Sequence, residues 1–205
     1  MPGSLRYLFP FLLLMMQPAC SRTPTLPPLA QDGVVLAFGD SLTYGYGNGV
    51  KPSESYPAVL SGLIGRKVIN AGIPGEISAD GAARLPDLLD TYHPSLMILC
   101  HGANDILRQM DRKQAAANLR TMVQAARDRG ISVVLVGVPD FALTLSTPEY
   151  YGEIAREYHL PFEDGTLAKI ERHNDLKSDI IHPNATGYRM MAEAIAKVLH
   201  TSGAI

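Results

Sequence analysis

The chain is short of cysteine, of charge imbalance and of long apolar stretches, and each shortage removes a class of function. It has 2 cysteines in 205 residues, with no Cys-x-x-Cys pair and no His-x-x-x-His pair. A zinc fold or a disulfide framework therefore has nothing to start from. Lys and Arg number 18 against 20 Asp and Glu, a net charge of -2, and no stretch concentrates five basic residues. That leaves no electrostatic footprint for nucleic acid. No apolar run reaches the ~20 residues a membrane-spanning helix needs. No Gly-x-Ser-x-Gly elbow is present, which disfavours the α/β-hydrolase fold. Gly45-Tyr46-Gly47-Asn48-Gly49 is glycine-rich but does not spell Gly-x-Gly-x-x-Gly, and it reads as a mobile loop.

What is present is ordinary globular composition, 46% hydrophobic and 19% charged. The length suits one domain, or one domain with a tail, at the usual ~100–200 residues per domain. Such a domain buries roughly 70% of its unfolded surface and needs no metal or disulfide to hold it. Nothing in the chain asks for a cofactor.

Residues 1–20 read as addressing. Tyr7 to Met16 is an apolar run broken only by Pro10 and preceded by Arg6, the pattern of an export signal. Cys20 follows, resembling the lipidation site of a bacterial lipoprotein, although Gln17 stands where that pattern favours Leu. The simpler alternative is a cleaved signal in which Cys20 has no role. Both imply an exported protein, periplasmic or anchored to the envelope. Residues 21–32, with Pro24, Pro27 and Pro28, read as a stiff linker, and residues 33–205 as the domain.

The body alternates strand and helix. Val34–Phe38, Leu96–Cys100 and Val133–Gly137 are continuous apolar runs, as in strands buried on both faces; Val68–Ala71 is similar and His159–Phe162 weaker. Ala115, Leu119, Met122 and Ala126 fall on one helical face, with Gly130 beyond as a C-terminal signal. Tyr188, Met191, Ile195 and Val198 repeat the spacing after Asn184, an N-cap residue. This alternation predicts an α/β domain with a parallel sheet covered by helices on both faces. Function in such sheets belongs at the carboxyl ends of the strands.

Four short motifs fall there: Gly39-Asp40-Ser41-Leu42, Gly72-Ile73-Pro74-Gly75, Gly102-Ala103-Asn104-Asp105, and Asp179-Ile180-Ile181-His182 before the last helix. Each alone could be turn or cap chemistry. Together they supply what ester hydrolysis by a serine requires: a nucleophile, a histidine base, a carboxylate to orient the base, and a donor for the oxyanion. Those roles fall to Ser41, His182, Asp179 and Asn104.

The set resembles the SGNH hydrolase superfamily, the GDSL esterases and lipases, over about Val34 to Leu199. The resemblance implies a three-layer α/β/α fold with a five-stranded parallel sheet, flavodoxin-like. It implies Ser41, Asp179 and His182 as triad, and Ser41, Gly75 and Asn104 as oxyanion hole. Within the superfamily the chain looks most like the arylesterases, thioesterases and lysophospholipases of the bacterial periplasm. The implied partners are small acyl esters or thioesters, with lysophospholipid as a second substrate, and neither metal nor nucleic acid. Two departures stand out: His101 where these enzymes usually carry an apolar residue, and Glu76-Ile77 where Asp-Thr is more usual. Phe141 to Tyr151 reads either as an apolar wall for an acyl chain or as packing under a loop. The carbohydrate acetylesterases and acyltransferases of the same superfamily stay open as alternatives, as does a non-catalytic envelope lipoprotein that binds acyl ligands.

Overall fold

The structure is a computed structural model and describes residues 24–141 and 145–205. The proposed signal segment, Cys20 and Leu143 lie outside the described residues. Five strands, β1 (Val34–Gly39), β2 (Lys67–Gly72), β3 (Leu96–Cys100), β4 (Ser132–Val136) and β5 (Phe162–Glu163), pair in parallel in the order β2-β1-β3-β4-β5. That is the flavodoxin-like order, and it puts a topological switch point between β1 and β3, where ligands of open α/β sheets bind. Val35–Phe38 of β1 and all of β3 are fully buried because both faces are covered. β2 is an edge strand, and none of its residues is fully buried: Lys67 and Asn70 are exposed and the rest half-buried.

Helices α1 (Ser41–Tyr44), α2 (Tyr56–Ile64), α3 (Ser78–Tyr92), α4 (Ala103–Leu107), α5 (Arg112–Arg127), α6 (Glu149–Tyr158), α7 (Thr166–Glu171) and α8 (Ala185–Thr201) fill the connections. α2 packs on α8, and α3 on α5. Ala115, Leu119, Met122 and Ala126 form the buried stripe of α5; Tyr188, Met191 and Ile195 do the same for α8, with Val198 at its margin. Asn184 caps α8 as its identity suggested, its Oδ1 accepting from the Thr186 and Gly187 amides at 3.0 Å each. Such a cap is worth about 1 kcal/mol.

Two expectations shift. The weak strand expected over 159–162 is displaced to the two residues Phe162–Glu163. His159 instead adopts φ 52° and ends α6, while Leu160 is apolar because it is buried, not because it is a strand residue. Packing of the domain also begins before residue 33: the Leu26 and Leu29 amides donate to the Ser202 and Ala204 carbonyls, and Leu29 joins the core.

Candidate active site

The carboxyl ends of β1, β2 and β3 lie side by side, so the short loops after them converge. Their closeness is set by glycine. A Cβ on Gly39 would sit 1.9 Å from the Cys100 carbonyl oxygen, and one on Gly72 would sit 2.1 Å from the Tyr44 amide. Only glycine lets these strand ends approach so closely.

After β1 the chain turns directly into α1. Asp40 is its N-cap, accepting from the Leu42 amide at 3.1 Å, while its other oxygen accepts from the Ala103 amide of α4 at 3.2 Å. One buried carboxylate thus joins the β1 and β3 loops across the switch point. Burial pushes the Asp40 carboxyl above its ordinary range, with His101 and the two amides pulling the other way. Ser41 is the first residue of α1, where a backbone N–H has no intrahelical acceptor.

After β2, Ile73-Pro74-Gly75-Glu76 forms a reverse turn, the Glu76 amide donating to the Ile73 carbonyl at 3.2 Å, with Gly75 at φ 80°. Proline second and a positive-φ glycine third are the signature of a type II turn. After β3, Asn104 lies in α4, and its Nδ2 donates to the Glu76 carbonyl at 2.9 Å. An amide group has two N–H bonds, so one is left for another acceptor.

The loop before α8 supplies the remaining pair. His182 Nδ1 lies 2.9 and 3.0 Å from the two Asp179 oxygens, and its Nε2 lies 3.1 Å from Ser41 Oγ. The carboxylate partner assigns the ring proton to Nδ1, which leaves the Nε2 lone pair for the serine hydroxyl. Asp179 also accepts from the Ile181 and His182 amides. Burial would raise its carboxyl, but these amides and the imidazole outweigh burial and hold it below the usual carboxylate range. The array can carry nucleophilic acyl transfer.

All five site residues read from the sequence therefore belong to the segments that follow β1, β2 and β3 or precede α8. Others could not be read there. Tyr46 lays its ring 4.8 Å from that of His182, and its carbonyl accepts from the Tyr188 hydroxyl at 2.6 Å. The glycine-rich loop expected to be mobile is thus fastened, with Gly47 close enough to Ser178 that a Cβ would come within 2.5 Å of its Oγ. Arg84 of α3 donates to the Gly39 and Ala71 carbonyls and to Glu76, from the middle of a helix and without a local motif. In the segment from Phe141 to Tyr151, Tyr151 is packing: it is buried, donates to the His101 carbonyl at 2.7 Å, and stacks on Tyr150. Cys100 is a buried free thiol whose burial raises it well above the ordinary range, so it is not poised as a nucleophile. Among the described residues no three His, Cys, Asp or Glu side chains group closely enough to hold a metal ion.

With this geometry in view, comparison with known proteins gives a consistent class. The chain belongs to the GDSL-like lipase/acylhydrolase family, whose model matches residues 37–190. It is an enzyme, a carboxylic ester hydrolase of the SGNH type. An arylesterase of Vibrio mimicus is 31% identical, the match covering 80% of this chain and 87% of the relative. The thioesterase 1/protease 1/lysophospholipase L1 of Escherichia coli (strain K12) is 28% identical over 95% of this chain and 92% of the relative. The crystal structure of TesA superposes with a TM-score of 0.72 at 29% identity, covering 81% of this chain and 97% of that one. The resemblance read from the four motifs is borne out at the level of family, fold and enzyme class.

Proposed function

We propose that the enzyme hydrolyses carboxylic esters and thioesters through Ser41, His182 and Asp179, with the Ser41 and Gly75 amides and the Asn104 side chain as oxyanion hole. The reading rests on the hydrogen-bonded series from Ser41 Oγ through the imidazole to Asp179, at 3.1 and 2.9 Å.

As Ser41 Oγ bonds to the acyl carbon, its proton passes to His182 Nε2, and the carbonyl electron pair moves onto oxygen. Asp179 keeps the Nδ1–H in place and offsets the imidazolium charge. The three N–H donors meet the oxyanion where it forms, usually the largest single contribution in such sites. His182 then protonates the departing alkoxide or thiolate. Water gives a proton to His182 and attacks the acyl-serine, and Ser41 takes the proton back as the acid leaves.

The substrates proposed are short-to-medium acyl and aryl esters, with lysophospholipid second. Support comes from exposed apolar side chains in the loops that carry the site: Tyr46, Ile73, Leu107, Met110 and Ile180, the last 86% exposed between Asp179 and His182. The relatives' names, arylesterase and thioesterase 1/protease 1/lysophospholipase L1, point the same way. A chain-length series of p-nitrophenyl esters, run beside lysophospholipid and acyl-coenzyme A, tests this. Turnover of acetylated xylan with none of aryl esters would overturn it.

Export is part of the proposal, resting on the Tyr7–Met16 run and on Cys20. Palmitate labelling and membrane fractionation that Cys20→Ala abolishes would fit an anchored form. A soluble mature protein with a free N-terminus would fit simple secretion, and retention of an uncleaved chain in the cytoplasm would contradict both.

A further inference from the structure

We propose that Glu76, clamped by His101 and Arg84, is a positioning residue that sets the oxyanion hole. The inference rests on the reading of Ser41, Gly75 and Asn104 as the ester-hydrolysing site, and it assigns a role to His101 and Glu76, two buried polar side chains beside it.

Glu76 follows Gly75 directly, and its own carbonyl is the acceptor for Asn104 Nδ2 at 2.9 Å. Any movement of its backbone therefore shifts two of the three proposed donors together. Its side chain turns inward, only 6% exposed, and is held on three sides. Arg84 Nε lies 2.5 Å from one carboxylate oxygen, and an Arg84 terminal nitrogen lies 2.7 Å from the other. His101 Nε2 is 3.1 Å from that second oxygen. Burial alone would raise the Glu76 carboxyl, but the bonds from His101 and Arg84 outweigh it and keep the group below its ordinary range, hence ionised.

The clamp reaches beyond Glu76. The same Arg84 nitrogen donates to the Ala71 carbonyl at 2.9 Å and the Gly39 carbonyl at 3.3 Å, at the ends of β2 and β1. Its guanidinium lies over the Phe38 ring, 4.2 Å from the centroid. His101 is fully buried at the end of β3, and its Nδ1 accepts from the Gly102 amide at 2.9 Å. With Nδ1 an acceptor, the ring proton sits on Nε2 and is donated to Glu76, so both nitrogens are committed. Space for the ring comes from Gly81 of α3, where a Cβ would lie 2.4 Å from His101 Nε2. The His101 carbonyl is held in turn by the Tyr151 hydroxyl at 2.7 Å.

One carboxylate thus ties together the ends of the three strands whose loops carry Ser41, Gly75 and Asn104. A buried ionic network is costly where an apolar residue would serve, and is weak as a source of stability. Its value here is geometric, since a donor must meet the oxyanion at a fixed place and small misplacements are expensive.

The test compares wild type, Glu76→Gln, His101→Leu, His101→Gln, the Glu76→Gln/His101→Leu double variant and Ser41→Ala. kcat and KM are measured on p-nitrophenyl butyrate, and the folded fraction is checked by circular dichroism. Glu76→Gln and His101→Leu should each lower kcat roughly 10- to 100-fold with little change in KM, as loss of a transition-state contact requires. The double variant should be scarcely worse than either single one, because both break one network. His101→Gln, which keeps a donor and an acceptor, should recover part of the loss. Phosphonylation of Ser41 by a p-nitrophenyl phosphonate should slow in step with kcat. If Glu76→Gln does not fold, His101→Leu carries the test alone. A folded variant with wild-type kcat, or a loss confined to KM, overturns the proposal while inactivity of Ser41→Ala leaves the triad intact. Activity in Ser41→Ala would overturn the underlying reading instead.

Discussion

The Asp40 carboxylate accepts the Ala103 amide at 3.2 Å while capping α1 through Leu42, so a single side chain spans the gap between the Ser41 turn and the Asn104 helix. Each oxygen faces an N–H. Asparagine can match only one of them, and its NH2 would then oppose the other amide. Asp40→Asn should therefore cost about 1–3 kcal/mol, the usual penalty for an unsatisfied buried group. Urea denaturation of the purified variant measures it. An unchanged midpoint would show that the loops are joined by other contacts.

Asp179→Asn keeps the shape of the side chain but favours the imidazole tautomer with its proton on the wrong nitrogen. In the serine-protease precedent that change costs ~10⁴ in kcat. The expectation is a loss of that order on aryl esters with near-native thermal stability. A loss of less than tenfold would mean that the His182–Asp179 contact at 2.9 Å orients nothing in catalysis.

Much of this was legible from local pattern. β1, β3 and β4 announce themselves as continuous apolar runs because both faces of each are covered, and Ser41, Gly75, Asn104, Asp179 and His182 sit in short segments with distinctive turn chemistry. What was not legible depends on reach and on tertiary company. β5 has only two residues, and its neighbour Leu160 is apolar for packing reasons. Arg84 acts at the end of a long side chain from mid-helix, with no sequence neighbour to mark it. His101 and Glu76 stood out singly as departures, but 25 residues separate them and only the folded sheet brings them within 3.1 Å. Tyr46 sat in a loop read as mobile, and its packing on His182 required the Tyr188 hydroxyl of a helix 142 residues away.

Glu171 gives the protein a pH-dependent stability. It is buried beside Lys177, whose Nζ lies 3.4 Å from Oε2, and Oε1 has no partner among the described residues. Burial pushes its carboxyl from 4.5 up to about 7, with Lys177 pulling only part of the way back. A carboxyl raised in the folded state retains its proton where the unfolded chain has lost it. Its contribution is therefore full below pH 4.5 and is lost as pH rises towards about 7. Glu171→Gln should melt a few degrees higher than wild type at pH 8 and no higher at pH 5, by scanning calorimetry. Equal shifts at both pH values would exclude titration of Glu171 as the cause.

The central claim is that Ser41 is the nucleophile, and its most direct test is covalent. Diethyl p-nitrophenyl phosphate should release one p-nitrophenolate per enzyme and leave a single diethylphosphoryl group on Ser41, located by peptide mass spectrometry. Ser41→Ala should take up no label and should hydrolyse p-nitrophenyl esters at near background while folding normally. A label on any other residue, or substantial ester turnover by Ser41→Ala, would contradict the assignment.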